Sequence, residues 1–139
     1  MHEYALADAV LRAAAAAADG ERLSVVTAIR VRVGELQQID PDVFSFALER
    51  TRPEGDARFA ATRTSVEVVP ARFRCRACSR EFSLSDVPDR DADAAEAIHL
   101  LPEAAHAFLA CPGCGSPDFE VAAGRGVEIA SIEGERSGA

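Results

Sequence analysis

Four cysteines in two pairs, "CRAC" (Cys75, Cys78) and "CPGC" (Cys111, Cys114), constrain this chain more than any other feature. In a C-x-x-C turn two thiolates converge on one side of a tight backbone loop. Two such turns facing each other make a tetrahedral sulfur cage, which suits Zn²⁺. Gly113 and Gly115 supply permissive backbone for the second turn. The two pairs are separated by 32 residues, more than the roughly 15–20 of the commonest double-knuckle pattern. The surplus, "DVPDRDADAAEAIHLLPEAAHAFLA", is acidic first and helix-forming later. A thioredoxin-like redox pair would follow a strand, open a helix and need no second copy, and disulfides belong to oxidising compartments. The pattern therefore reads as structural zinc. With four protein ligands no coordination position is left open, so this metal holds structure and does not catalyse.

The chain of 139 residues carries a formal net charge of −8 and a pI near 4.8. That balance disfavours nucleic acid, because binders of phosphate draw most of their affinity from a basic face. Arg72, Arg74, Arg76 and Arg80 cluster beside the first knuckle, which keeps a zinc-ribbon adaptor for nucleic acid or a transcription complex as the alternative. The acidic insertion and the lack of aromatics spaced for base stacking oppose it. No apolar run reaches the ~20 residues of a membrane span. The alanine run after Arg12 lacks the positive flank of a signal peptide, since Glu3 and Asp8 precede it. The expectation is a cytoplasmic protein with reduced cysteines. No G-x-S-x-G, phosphate loop or carboxylate pair indicates an enzyme.

Outside the cysteine segment the pattern is mixed α and β. Leu6, Val10, Ala14 and Ala17 repeat at helical spacing, with Gly20 placed to close the helix in the left-handed conformation. In "AIRVRVGEL", Ile29, Val31 and Val33 alternate with Arg30 and Arg32, as in a half-buried strand. "DPDVFSFALERT" begins a helix with Asp40 as N-cap and Pro41 at the first position, with Val43, Phe46 and Ala47 expected to face the core. Val66 and Val68 mark a second strand stopped by Pro70. "GVEIASIEGE" marks a last strand, with Ile132 out of phase and a bulge or an end effect expected. The closing "GERSGA" reads as frayed. The cysteine segment thus interrupts a globular part between its second and third strands.

The amino terminus carries a second candidate site. Met1 offers an α-amine, and His2 a backbone amide nitrogen and an imidazole. Together they close a five- and a six-membered chelate ring. Deprotonated amide donors favour square-planar metals, so Ni²⁺ or Cu²⁺ over Zn²⁺. The Glu3 amide or another histidine would complete the plane.

Taken together, "MHEYALADAV", "VRVGELQQIDPDVFSFALE", the two knuckles with "CPGCGS", and "GRGVEIASIE" resemble the HypA/HybF family of nickel metallochaperones in NiFe-hydrogenase maturation. The resemblance covers nearly the whole chain in order. It implies an α+β fold: a nickel domain of a small three-stranded sheet with two helices, formed by residues 1–70 plus 121–139. A zinc-ribbon-like domain of residues 71–120 is inserted into it. It implies nickel at Met1, His2 and Glu3, and zinc at Cys75, Cys78, Cys111 and Cys114. Its implied partners are the GTPase HypB, which gives up nickel, and the hydrogenase large-subunit precursor, which receives it. The long spacer resembles an archaeal-type subgroup and brings His99 and His106. His99 is preferred as an additional nickel donor, while His106 is expected beside the zinc knuckle. Asp40 fits a nickel role by position and a helix cap by chemistry, and the cap is preferred.

Overall fold

The computed structural model describes residues 2–53, 55–87, 97, 101 and 105–137. Helix α1 (His2–Gly20) forms because Ala7, Val10, Leu11, Ala14 and Ala18, three or four apart, all bury on one side. Gly20 does not end it in the left-handed conformation as the sequence suggests. The glycine stays in the helix, and Arg22 takes the positive φ of 57°. Glu21 N–H still reaches Ala17 O at 3.0 Å, so the reversal comes two residues later.

Strand β1 (Leu23–Gly34) buries Ile29, Val31 and Val33 and turns Arg30 and Arg32 to solvent. Val26 is also buried, so the inward parity changes across Thr27 and Ala28. After a short turn, Glu35–Gln37, comes helix α2 (Pro41–Arg50). Asp40 caps it, accepting from Asp42 N–H at 2.8 Å and Val43 N–H at 3.4 Å. The expected core face is corrected here. Phe44, Ala47 and Leu48 are buried, whereas Val43 and Phe46 are 44% and 49% exposed. The i, i+3, i+4 stripe begins one residue later than expected, and Phe46 lies instead under the Arg50 guanidinium at 4.7 Å.

Strand β2 (Arg63–Val69) ends at Pro70, and β6 (Val127–Arg136) completes a sheet ordered β2-β1-β6. Contacts step the same way along β1 and β2, from Thr62–Val26 to Glu67 with Arg30 and Arg32, so these two strands run parallel across α2. They step oppositely along β1 and β6, from Ser24–Glu135 to Arg32–Glu128, so β6 is antiparallel. Val127, Ile129 and Ile132 are all half-buried. The final strand does not fray at Gly134. It continues to Arg136, whose guanidinium bonds Glu21 O at 2.8 Å and pairs with the Glu21 carboxylate at 2.7 Å.

Two compact units result. The first is Met1–Arg32, Asp40–Glu67 and Val127–Ala139, and the second is Val33–Ile39 with Val68–Gly126. The second has its own antiparallel sheet, ordered β4-β3-β5, of β3 (Arg72–Cys75), β4 (Glu81–Ser83) and β5 (Phe119–Ala123). A single-turn helix α3 (Ala105–Phe108) packs Ala105 into its core. Phe73 stands opposite Phe82, and Phe119 opposite Cys75. The three phenyl rings meet at 5.1–5.5 Å and are fully buried. This unit also depends on a backbone crossing. Gly34 N–H donates to Gly126 O and Leu36 N–H to Gly124 O, and a Cβ on Gly34 would run into the Gly124 carbonyl. The architecture is the α+β fold expected, a three-stranded sheet with two helices and a zinc-ribbon-like insertion. Among the described residues no helix is long and apolar enough to cross a membrane.

Candidate metal centre

The two knuckles are built alike. Cys75 N–H donates to Arg80 O at 2.9 Å, and Ser79 N–H to Cys75 O at 2.9 Å. In the second, Cys111 N–H donates to Ser116 O at 2.9 Å and Gly115 N–H to Cys111 O at 2.8 Å. Each turn has one left-handed residue in the same place, Ser79 at φ 64° and Gly115 at φ 77°. Gly115 thus has the role its type suggests, while the first knuckle uses a serine there. Gly113 needs no positive φ. Its missing side chain makes room for Arg80, whose Cδ would lie 3.1 Å from a Cβ.

These turns bring the four sulfurs within 4.8 Å of one another. Cys75 and Cys114 sit 3.6 Å apart, as do Cys78 and Cys111, so all four remain free thiols. A tetrahedron with Zn–S of ~2.3 Å has S···S edges of ~3.8 Å, and the cluster fits that ion. Cys75 and Cys111 are buried against the aromatic core, and Cys78 and Cys114 are exposed. Burial opposes ionisation of Cys111, but amide donors from Cys114 and Gly113 and the neighbouring thiols draw its pKa down to about 7. Ser116 N–H favours a thiolate on Cys114, yet the adjacent Cys75 thiol and burial outweigh it and push that group up to about 11. The thiols titrate as one coupled group, and zinc must displace the protons they hold.

His106 lies where the sequence places it, beside the second knuckle. Its ring stacks on Phe119 at 4.4 Å and 25°, with Nδ1 3.4 Å from Pro117 O. His2 is the first residue of α1, and Glu3 is half-buried in the first turn and engaged. Met1, the His2 side chain and His99 lie outside the described residues. Asp40 is occupied as a cap. Of the arginines that suggested an adaptor, Arg76 pairs with Asp118 at 2.8 Å and Arg80 lies over Gly113, whereas Arg72 only approaches Glu81, at 3.9 Å.

Sequence reasoning misses the groups that brace this unit. Glu35 accepts from Ala71 N–H at 2.8 Å, and Gln37 from Gly126 N–H at 3.1 Å. Both residues lie in "GELQQID", far from the cysteines in sequence, and nothing in that polar stretch singles them out.

Comparison with known proteins agrees with this geometry. The family described as "Hydrogenase/urease nickel incorporation, metallochaperone, hypA" matches residues 1–134. The hydrogenase maturation factor HypA of Thermococcus kodakarensis is 46% identical over 141 residues, covering 99% of each chain. That of Ignicoccus hospitalis is 32% identical over 113 residues, covering 81% of this chain and 79% of its own. The solution structure of the Ni metallochaperone HypA from Helicobacter pylori shares the fold at a TM-score of 0.62, with 17% identity, covering 97% of this chain and 98% of that one. Sequence and fold agree over nearly the whole length, and the chain belongs to the HypA family of nickel-incorporation metallochaperones.

Proposed function

We propose that this chain carries Ni(II) as cargo and hands it to a hydrogenase large-subunit precursor in the cytoplasm, without catalytic turnover. The family match over residues 1–134 carries the proposal. In it, Met1, His2 and Glu3 hold nickel, His99 adds a further donor, and the GTPase HypB supplies the ion. Cys75, Cys78, Cys111 and Cys114 hold zinc as a structural ion. Residues 1–70 plus 121–139 serve as the nickel domain and 71–120 as the zinc domain.

The start of α1 at His2 supports the chelate physically. The first four amides of a helix have no intrahelical acceptor, so metal can take the His2 and Glu3 nitrogens without breaking a helical bond. A site of few donors at a helix end also releases its ion more readily than a closed cage. Nickel titration of the untagged protein, and of a form extended by one residue before Met1, tests this. The extension turns the Met1 amine into a peptide amide and should weaken nickel at least about tenfold, a loss of ~1.4 kcal/mol, with zinc content unchanged. Equal affinities and equal spectra would exclude the terminal chelate.

A further inference from the structure

Half of the sulfur cluster faces solvent. Cys78 and Cys114 are exposed, whereas Cys75 and Cys111 are buried in the core that holds Phe73, Phe82 and Phe119. Each close sulfur pair joins an exposed member to a buried one: Cys78 with Cys111 and Cys114 with Cys75, both at 3.6 Å. Each pair also joins one knuckle to the other, between residues 33 and 39 apart in the chain. An exposed sulfur meets a dissolved oxidant first. The buried sulfur in contact behind it is then placed to complete a disulfide, since side-chain rotation can close the gap to the ~2.05 Å of that bond.

We propose that the four cysteines form a reversible peroxide-sensitive switch, in which Cys78 and Cys114 are oxidised first and Cys111 and Cys75 resolve them into two disulfides between the knuckles. The inference rests on the zinc assignment of these residues and goes beyond it. The Cys78 thiolate attacks the O–O bond of hydrogen peroxide, takes one oxygen as a sulfenic acid and releases hydroxide. The Cys111 thiolate then attacks that sulfur, forms the S–S bond and expels a second hydroxide. Cys114 and Cys75 repeat the sequence, so two molecules of peroxide remove four electrons from the four thiolates. Thiolates, not disulfides, are metal ligands, and the oxidised cage therefore releases its zinc. A dithiol reductant returns the electrons by thiol–disulfide exchange and restores the four ligands.

The pairing decides what happens to the fold. A bridge inside one C-x-x-C turn would leave the two knuckles untied, as chelation does. Bridges between the knuckles replace the tie through the metal with covalent ones, and the loops they close restrict the unfolded chain. The second unit therefore stays folded when oxidised and rebinds zinc once reduced. Disulfides that come and go in this way are the kind that a reducing compartment permits.

Hydrogen peroxide added in slight excess to the full-length, zinc-loaded protein tests the switch. Zinc content of the reduced protein is measured first, and its absence there would overturn the metal assignment together with the switch. With zinc present at the start, oxidation should release it to a chromogenic chelator, and dithiothreitol followed by fresh zinc should restore the original content. Peptide mapping without reduction should find Cys75–Cys114 and Cys78–Cys111 within a single chain. A sulfenic-acid trap present during the reaction should label Cys78 or Cys114. Amide protection in β3, β4 and β5 should persist after oxidation and vanish after chelation of the reduced protein. Retained zinc would overturn the switch while leaving the metal assignment intact. Bridges Cys75–Cys78 and Cys111–Cys114, disulfides only between chains, or sulfonic acids in place of disulfides would do the same. So would trapping at Cys75 or Cys111, or loss of that protection on oxidation.

Discussion

Phe119 shows how much one side chain can settle. It is fully buried, faces Cys75 across the β3–β5 ladder, touches Phe73 and Phe82, and carries His106 on its outer side. Phe119→Ala should cost about 3–5 kcal/mol in the unfolding transition of the cysteine unit, followed by denaturant titration with near-ultraviolet circular dichroism. Gly34 shows the opposite case, where the absence of a side chain is what packs. Gly34→Ala forces a methyl group into the Gly124 carbonyl, and neither backbone can yield without breaking the bonds to Gly124 and Gly126. Overpacking of this kind costs roughly 1–3 kcal/mol. A melting temperature equal to wild type would show that the crossing relaxes. The importance of these two residues was not legible beforehand, because it depends on what comes to lie beside them.

At the scale of elements, the local rules performed well where one residue answers to its own neighbours. Asp40 and Pro41 start α2 as their chemistry requires, and the alternation of Ile29, Val31 and Val33 with two arginines makes a strand. Asp40→Ala should cost about 1 kcal/mol, read as a lower melting temperature with zinc content unaffected. The rules failed where the partner surface decides. The bulky Val43 and Phe46 were expected inside, but the surface that α2 packs against selects the stripe Phe44, Ala47 and Leu48. Gly20 was expected to stop α1, yet Arg22 makes the reversal at φ 57°. The last strand persists through Arg136 because Glu21, 115 residues earlier, supplies both a carbonyl and a carboxylate.

For the molecule as a whole, the two compact units should respond differently to loss of zinc. Four sulfurs within 4.8 Å of one another, bound as thiolates, lose the tie between their two turns once the ion is removed. Chelation, or Cys111→Ser, should therefore abolish the near-ultraviolet signal of the phenyl cluster while the α1–α2 helical signal in the far ultraviolet largely survives. Amide exchange would localise the change: protection should vanish in β3, β4 and β5 and persist in β1. Uniform loss of protection would mean that the units fold as one.

The sequence by itself determined the zinc chemistry, the mixed α and β composition and the place of the cysteine segment between strands. Each of these rests on spacing along the chain: two C-x-x-C turns, a 3.6-residue apolar period and a two-residue alternation. The tertiary structure alone decided which helix stripe is buried, which residue reverses after α1, and how the second unit is tied together. Val33–Ile39 joins that unit because Glu35 and Gln37 satisfy backbone amides of Ala71 and Gly126. Such bonds are made between segments 36 and 89 residues apart. No local pattern encodes them, because their energy exists only once the chain has closed those loops.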